Sequence, residues 1–211
     1  KYLFNSERVM IGVDEVGRGC WAGPILSCAS YIYHSEFKNL PKINDSKKMS
    51  KKDRREILIS STTFSRNAIG CSTVNEIENY GINASNDLAA LRAVVLMVQN
   101  LSLNTNKNLF FDIFLDGNRT PNFDMFEKLF ALIRNRIKIY CIVKGDSKVM
   151  SIALASIIAK ETRDTIMNQQ HLLYPYYNFK NNVGYGTKEH RDMITKPVSY
   201  THLTLPTTTL V

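Results

Sequence analysis

Three short, mostly apolar runs of this chain each stop at an acid. Residues 8–14 read Arg-Val-Met-Ile-Gly-Val-Asp and lead into Glu15. Residues 109–115 run into Asp116-Gly117, and residues 137–143 run into Lys144-Gly145-Asp146. Runs of this length, bounded by glycine and acid, predict strands. Between and after them lie helical patterns: Leu88, Leu91, Val95 and Val98 recur at helical intervals within 83–101, and 149–171 predicts a second long helix. Strands alternating with helices predict parallel strands covered by helices. Parallel strands end at one edge of a sheet, so the acids that terminate them are expected to meet there.

The remaining segments complete the order. Residues 24–33 follow closely on a Gly17-Arg18-Gly19 turn and predict a second strand, antiparallel to the first. Ser50 with Asp53 has the form of an N-cap with an acid three residues on, opening a helix through about Ser60. A third strand is expected over 64–72, a helix over 123–134, an aromatic, Asn-rich loop over 174–186 and a last helix over 188–195. The expected fold class is α/β: a five-stranded mixed sheet, its first three strands antiparallel and the rest parallel, flanked by helices. With no repeat and no low-complexity linker, residues 1–196 read as one domain. Residues 197–211 read as a non-native or disordered tail.

Charge narrows the partner. The 211 residues carry a formal net charge of +8. The excess is concentrated: Lys38, Lys42, Lys47, Lys48, Lys51, Lys52, Arg54 and Arg55 face only Asp45 and Asp53 within 38–55. A basic stretch is often no more than a solvated helix face, but it also suits a polyanion, above all nucleic acid. The longest apolar candidates, 88–98 and 149–159, are too short for a membrane helix and contain Arg92, Ser151 and Ser156. Cys20, Cys28, Cys71 and Cys141 are too scattered for a zinc pair or a disulfide framework. A cytoplasmic, monomeric protein without membrane contact is expected.

Taken singly, each terminal acid has an ordinary explanation. Asp116-Gly117 is a turn signal, Asp146 can cap the next helix, and Asp14 and Glu15 can pair with Arg18. Together at one edge they repel and raise one another's pKa, and a divalent cation resolves that repulsion. Mg²⁺ takes one or two carboxylates and fills its shell with water and phosphate oxygens, and a pair of such ions can clamp a phosphodiester. Two phosphate-loop readings fail. Gly17-x-Gly19-x-x-x-Gly23 places its last glycine one residue late, and Gly12–Gly19 has Arg and Gly where a Walker A loop needs Lys and Ser/Thr. Adjacent residues of a regular strand point to opposite faces. Asp14 and Glu15 are therefore expected to share a site only if the strand ends or bends at them.

The residues at these positions resemble the type 2 ribonucleases H, the ribonuclease HII family. Asp14-Glu15-Val16-Gly17-Arg18-Gly19 resembles the family signature. Asp45-Ser46-Lys47-Lys48-Met49-Ser50, Ile82-Asn83-Ala84-Ser85 and Leu115-Asp116-Gly117-Asn118 resemble successive blocks of it. So do Lys144-Gly145-Asp146-Ser147 with the run Ser151–Asp164, and Gly184-Tyr185-Gly186-Thr187-Lys188-Glu189-His190. The resemblance implies a ribonuclease H-like fold and an Mg²⁺- or Mn²⁺-dependent endonuclease using two ions. Its substrates would be RNA–DNA hybrids and duplex DNA carrying ribonucleotides, cut 5′ to the ribonucleotide to leave a 3′-hydroxyl and a 5′-phosphate. The implied catalytic and metal-binding residues are Asp14, Glu15, Asp116 and Asp146, with Asp164 behind them. The implied substrate contacts are Gly17, Arg18 and Gly19 at the ribose 2′-hydroxyl, Tyr185 against the sugar, and Ser46, Lys47 and Lys48 at phosphates. Thr187 and His190 are further candidates, His190 either positioning substrate or simply packing.

Two departures stand out. Leu154 occupies a helix position where a small residue is usual, and 197–211 lacks the family's late HR-x-[ST]-F element. A ribonuclease HIII-like enzyme is the sister reading. It is disfavoured by Arg18, where that group has Lys, and by the short stretch before Asp14. A non-catalytic hybrid-binding module is disfavoured because all four acids are present.

Overall fold

The computed structural model describes residues 8–36, 40–43, 46, 48–103 and 108–195. Lys47, Asp45 and the tail 197–211 lie outside the described residues. Strand β1 (Arg8–Val16) is the central strand of a five-stranded sheet, with β2 (Ile25–Ile32) antiparallel beside it and β3 (Ser65–Ser72) antiparallel beyond. On its other side β4 (Phe110–Asp116) and β5 (Ile137–Ile142) run parallel to it, giving the order β3-β2-β1-β4-β5. This is the expected mixed sheet.

Two long helices cover its faces. On one side α2 (Val74–Leu103) packs Leu91, Val94 and Met97 onto Ile11, Val13 and Ile113. On the other, α4 (Met150–Leu173) packs Leu154 and Ile157 with Cys28 and with Ile57 and Phe64 of α1 (Lys51–Phe64). Strand alternation sends Ile11 and Val13 to the α2 face, while Gly12 lies under α4. A Cβ at Gly12 would overlap the backbone of Ser151 and Ile152, so its absence sets how closely α4 sits on β1. Leu154 is wholly buried in this layer. No helix among the described residues is long and apolar enough to cross a membrane, and all four cysteines are free.

Element ends differ from expectation where packing overrides local pattern. The side chain of Ser50 caps α1 as expected, accepting from the Asp53 N–H at 3.2 Å. The helix then runs on to Phe64, whose ring enters the core. Helix α2 begins at Val74 rather than 83: Thr73 and Glu76 form a reciprocal cap, and Gly81 (φ 78°) breaks the helix. Residues 123–134 do not form one helix. A 3₁₀ turn (Phe123–Phe126), the single-turn α3 (Glu127–Phe130) and a second 3₁₀ turn (Arg134–Arg136) replace it. Phe123 and Ile133 nevertheless both reach the same core, with Phe126, Leu129 and Phe130 packed against it. The expected loop 174–186 contains a 3₁₀ turn (Pro175–Tyr177) and α5 (Phe179–Asn182), and α6 spans Lys188–Thr195 as expected.

Candidate active site

The parallel register of β1 and β4 pairs Val13 with Leu115, so Asp14 and Asp116 end neighbouring strands at the same edge. Asp14 is 8% exposed. Burial pushes its carboxyl up to about 7, reinforced by the like charges of Glu15 and Asp116. Hydrogen bonds from the Ser156 hydroxyl and the Glu15 backbone N–H oppose the rise. The Glu15 carboxyl is also raised, first by burial and then by Asp116, against the pull of Arg18 and Arg119. Asp14 and Glu15 thus share an environment that disfavours their charges together, with the Asp116 carboxylate among its causes.

The strand neither ends nor bends at the acids, contrary to expectation. β1 continues to Val16, with Asp14 opposite Cys28 and Glu15 opposite Ser27 on β2. Asp14 therefore turns to the α4 side, against Ser156, and Glu15 to the α2 side. There Glu15 and Asp116 line a cleft of about 100 Å³ with Asn86, Asp87, Asn118 and Arg119. Asp116 lies within the field of both. Its Oδ1 accepts from the Gly145 N–H at 2.6 Å, which holds the 3₁₀ turn Gly145–Ser147 and so places Asp146 beside the edge, half-exposed. Among the described residues no three His, Cys, Asp or Glu side chains close around one point. The four acids border one edge from two faces rather than forming a closed cage.

The donor set has the chemistry of a hard-cation site. It is all oxygen, it is short of countercharge, and the pressure on Asp14 is relieved by a cation. Mg²⁺ and Mn²⁺ suit it, because a hard ion held by one or two carboxylates needs no protein cage. The residues fit such a group.

A second cluster adjoins the first. After Val16 the chain turns at Gly17 (φ 102°), where a Cβ would stand 2.6 Å from the Pro24 carbonyl oxygen. Arg18 is exposed and donates to Asn83 Oδ1 at 2.7 Å. Cys20 forms a lone bridge with Tyr185, whose ring lies 3.9 Å from where a Gly19 Cβ would stand. The fold thus brings Gly17–Gly19 and Tyr185, more than 160 residues apart in sequence, together just past the end of β1. Tyr185 is 39% exposed, with the Lys160 ammonium 5.9 Å from its ring centroid.

Residues 11–208 match the family model described as ribonuclease HII. The chain belongs to the ribonuclease HII family. It is 37% identical over 186 residues to the ribonuclease HII of Ehrlichia ruminantium (strain Welgevonden), spanning 88% of this chain and 79% of the relative. In fold it is similar to the ribonuclease HII in a structure of the PCNA:RNase HII complex from Archaeoglobus fulgidus. That likeness has a TM-score of 0.65 and 19% identity over 88% of this chain and 86% of the other. It is also similar to Bst-RNase HIII in complex with Mn²⁺, with a TM-score of 0.64 and 22% identity over 79% of this chain and 55% of that one. Membership makes the chain a ribonuclease H.

Within the ribonuclease HII motifs, several residues stand differently from their expected roles. The Ser46 hydroxyl is buried and shares a hydrogen bond of 2.9 Å with Ser156, itself a partner of Asp14. It is committed to the acid centre rather than turned outward to a phosphate. Lys48 is exposed. Asp164 binds Lys160 at 2.7 Å and lies within the field of Cys20 and Tyr185. His190, 1% exposed, packs among Trp21, Tyr177 and Phe179, and its Nδ1 meets the Tyr185 carbonyl at 2.9 Å. Of its two readings the structure takes packing, with a hold on the Tyr185 backbone. Thr187 Oγ1 accepts from the His190 N–H at 3.2 Å, capping α6. Sequence reasoning gave no role to Ser156 or Arg163. Both lie in a quoted motif, but only the fold shows that one touches Asp14 and the other is wholly buried.

Proposed function

We propose that the chain hydrolyses the RNA strand of RNA–DNA hybrids and incises duplex DNA 5′ to an embedded ribonucleotide, leaving a 3′-hydroxyl and a 5′-phosphate. The observation that carries this reading is the buried Asp14, at the edge it shares with Glu15 and Asp116, beside the paired Gly17–Gly19 and Tyr185 loops. Asp14, Glu15, Asp116 and Asp146 would hold two Mg²⁺ or Mn²⁺ ions. When bound, the ions neutralise the acids and stabilise charge developing on the scissile phosphate.

The protein's own groups supply the rest. The Ser156 hydroxyl orients Asp14, and the Gly145 N–H orients Asp116. The open backbone of Gly17–Gly19 lets a ribose approach closely, and the 2′-hydroxyl is the group that separates RNA from DNA. Arg18, steadied by Asn83, adds positive charge there. The exposed Tyr185 ring stacks on the sugar at the junction between ribose and deoxyribose. Lys47 and Lys48 meet phosphates, giving affinity without sequence choice. Incubation with a labelled RNA–DNA hybrid and with an all-DNA duplex, with and without Mg²⁺ or Mn²⁺, tests the reading. Metal-dependent loss of the RNA strand alone is expected; an uncut hybrid with binding intact overturns it.

A further inference from the structure

Arg163 is the largest fully buried side chain among the described residues, at 0% exposure. Among those residues its guanidinium has no carboxylate in an ion pair. The neighbouring acids are taken, Asp164 by Lys160 and Glu161 by Arg54 and Arg55. Instead it donates to three backbone carbonyls: Nε to Pro24 at 3.0 Å, Nη2 to Ala22 at 2.9 Å and Nη1 to Val183 at 2.7 Å. Burying a charge without a countercharge is costly, and a planar fork of donors is pre-organised to fix several acceptors at once. The cost is repaid in geometry, because the three carbonyls belong to two different loops. Pro24 and Ala22 close the Gly17–Gly23 turn, and Val183 opens the turn that carries Tyr185.

The surroundings are built for that fork. A Cβ on Gly17 would stand 2.7 Å from Arg163 Nε, and one on Gly23 would stand 3.1 Å from Nη2. The two loops also bond directly, since the Gly184 carbonyl accepts from the Trp21 N–H at 2.8 Å and from the Ala22 N–H at 3.2 Å. We infer that Arg163 is a positioning residue that locks the Gly17–Gly19 loop and Tyr185 into one ribose-recognising unit, and thereby sets discrimination between ribose and deoxyribose. This rests on the reading of those loops proposed above. Arg163 touches neither the substrate nor the acids; it acts through the distance between the two loops.

The test uses the full chain with Asp116→Asn, so that bound duplex is not cut. Affinity is measured for a DNA duplex with one ribonucleotide and for its all-DNA counterpart, with Arg163 and with Arg163→Lys. Lysine keeps the charge but loses the fork. The variant is expected to lose about tenfold or more of the preference for the ribonucleotide duplex, as loss of charge-assisted hydrogen bonds does. Affinity for the all-DNA duplex should hold within about twofold, since phosphate contacts dominate it. A merely stabilising role would lower the melting temperature and leave the preference alone; an unchanged preference in a folded variant overturns the inference. Absence of any preference with Arg163 in place would instead overturn the proposed function. Should Arg163→Lys not fold, hydrogen exchange of the unmutated chain decides. The Trp21, Ala22 and Tyr185 amides should open together, and independent rates overturn the inference.

Discussion

Asp14 is a carboxyl group whose charge is disfavoured first by burial. Its pKa is raised from 3.8 to about 7 by burial, so the folded chain without metal binds a proton that the unfolded chain gives up. Stability contributed by that proton is fully present below the unfolded pKa, near 4, and is lost as pH rises through 7. Thermal melts of the metal-free protein should therefore fall from pH 5.5 to 8 relative to Asp14→Asn, by an amount of order 2 kcal/mol at most. Binding of Mg²⁺ or Mn²⁺ should release protons below pH 7, seen as buffer-dependent heats in calorimetry. Removing the opposing hydrogen bond with Ser156→Ala should move the Asp14 titration further up, as read by NMR. At the other cluster, Tyr185→Ala should slow cleavage at the ribonucleotide more than it weakens duplex affinity; equal losses would count against its place at the sugar.

At the scale of elements, the long, regular pieces were legible and the short, bent ones were not. The three acid-ended strands follow from apolar runs stopped by turn residues, and the α1 cap follows from Ser50 and Asp53. Residues 123–134 look helical but are split into a 3₁₀ turn and the single-turn α3, followed by a further turn at Arg134–Arg136. The pairing of Asp14 and Glu15 misled in a different way. Strand alternation held at both residues, and the site is completed from two faces rather than by a bend. Ser46 could not be placed from sequence at all, since its partner Ser156 lies 110 residues away. Close packing of α4 on β1 gives the test at this scale. Gly12→Ala forces a methyl into the α4 backbone and should cost about 3 kcal/mol or more in urea unfolding, as overpacking does. Activity should fall with it, because α4 also carries Ser156 and Arg163.

For the whole molecule, the net charge of +8 conceals a division. Basic residues are dense in the sequence over 38–55, and Arg54 among them ties α1 to α4, binding Glu161 at 2.7 Å and the Ser46 carbonyl at 3.1 Å. The acids gather at the sheet edge a short step away, since Ser46 joins Asp14 through Ser156. On the proposed function, the polymer's backbone and its scissile bond would meet opposite charges. Duplex affinity should fall steeply with salt, and Lys48→Ala should reduce the slope of log K against log salt by about 1. The central claim is that the acid edge cuts where a ribonucleotide interrupts DNA. An end-labelled duplex with a single ribonucleotide, incubated with Mg²⁺ or Mn²⁺, tests it most directly. One incision is expected, 5′ to the ribonucleotide, with a 3′-hydroxyl on the labelled fragment, and none by Asp116→Asn despite retained binding. An uncut duplex, or equal cutting by Asp116→Asn, would contradict it.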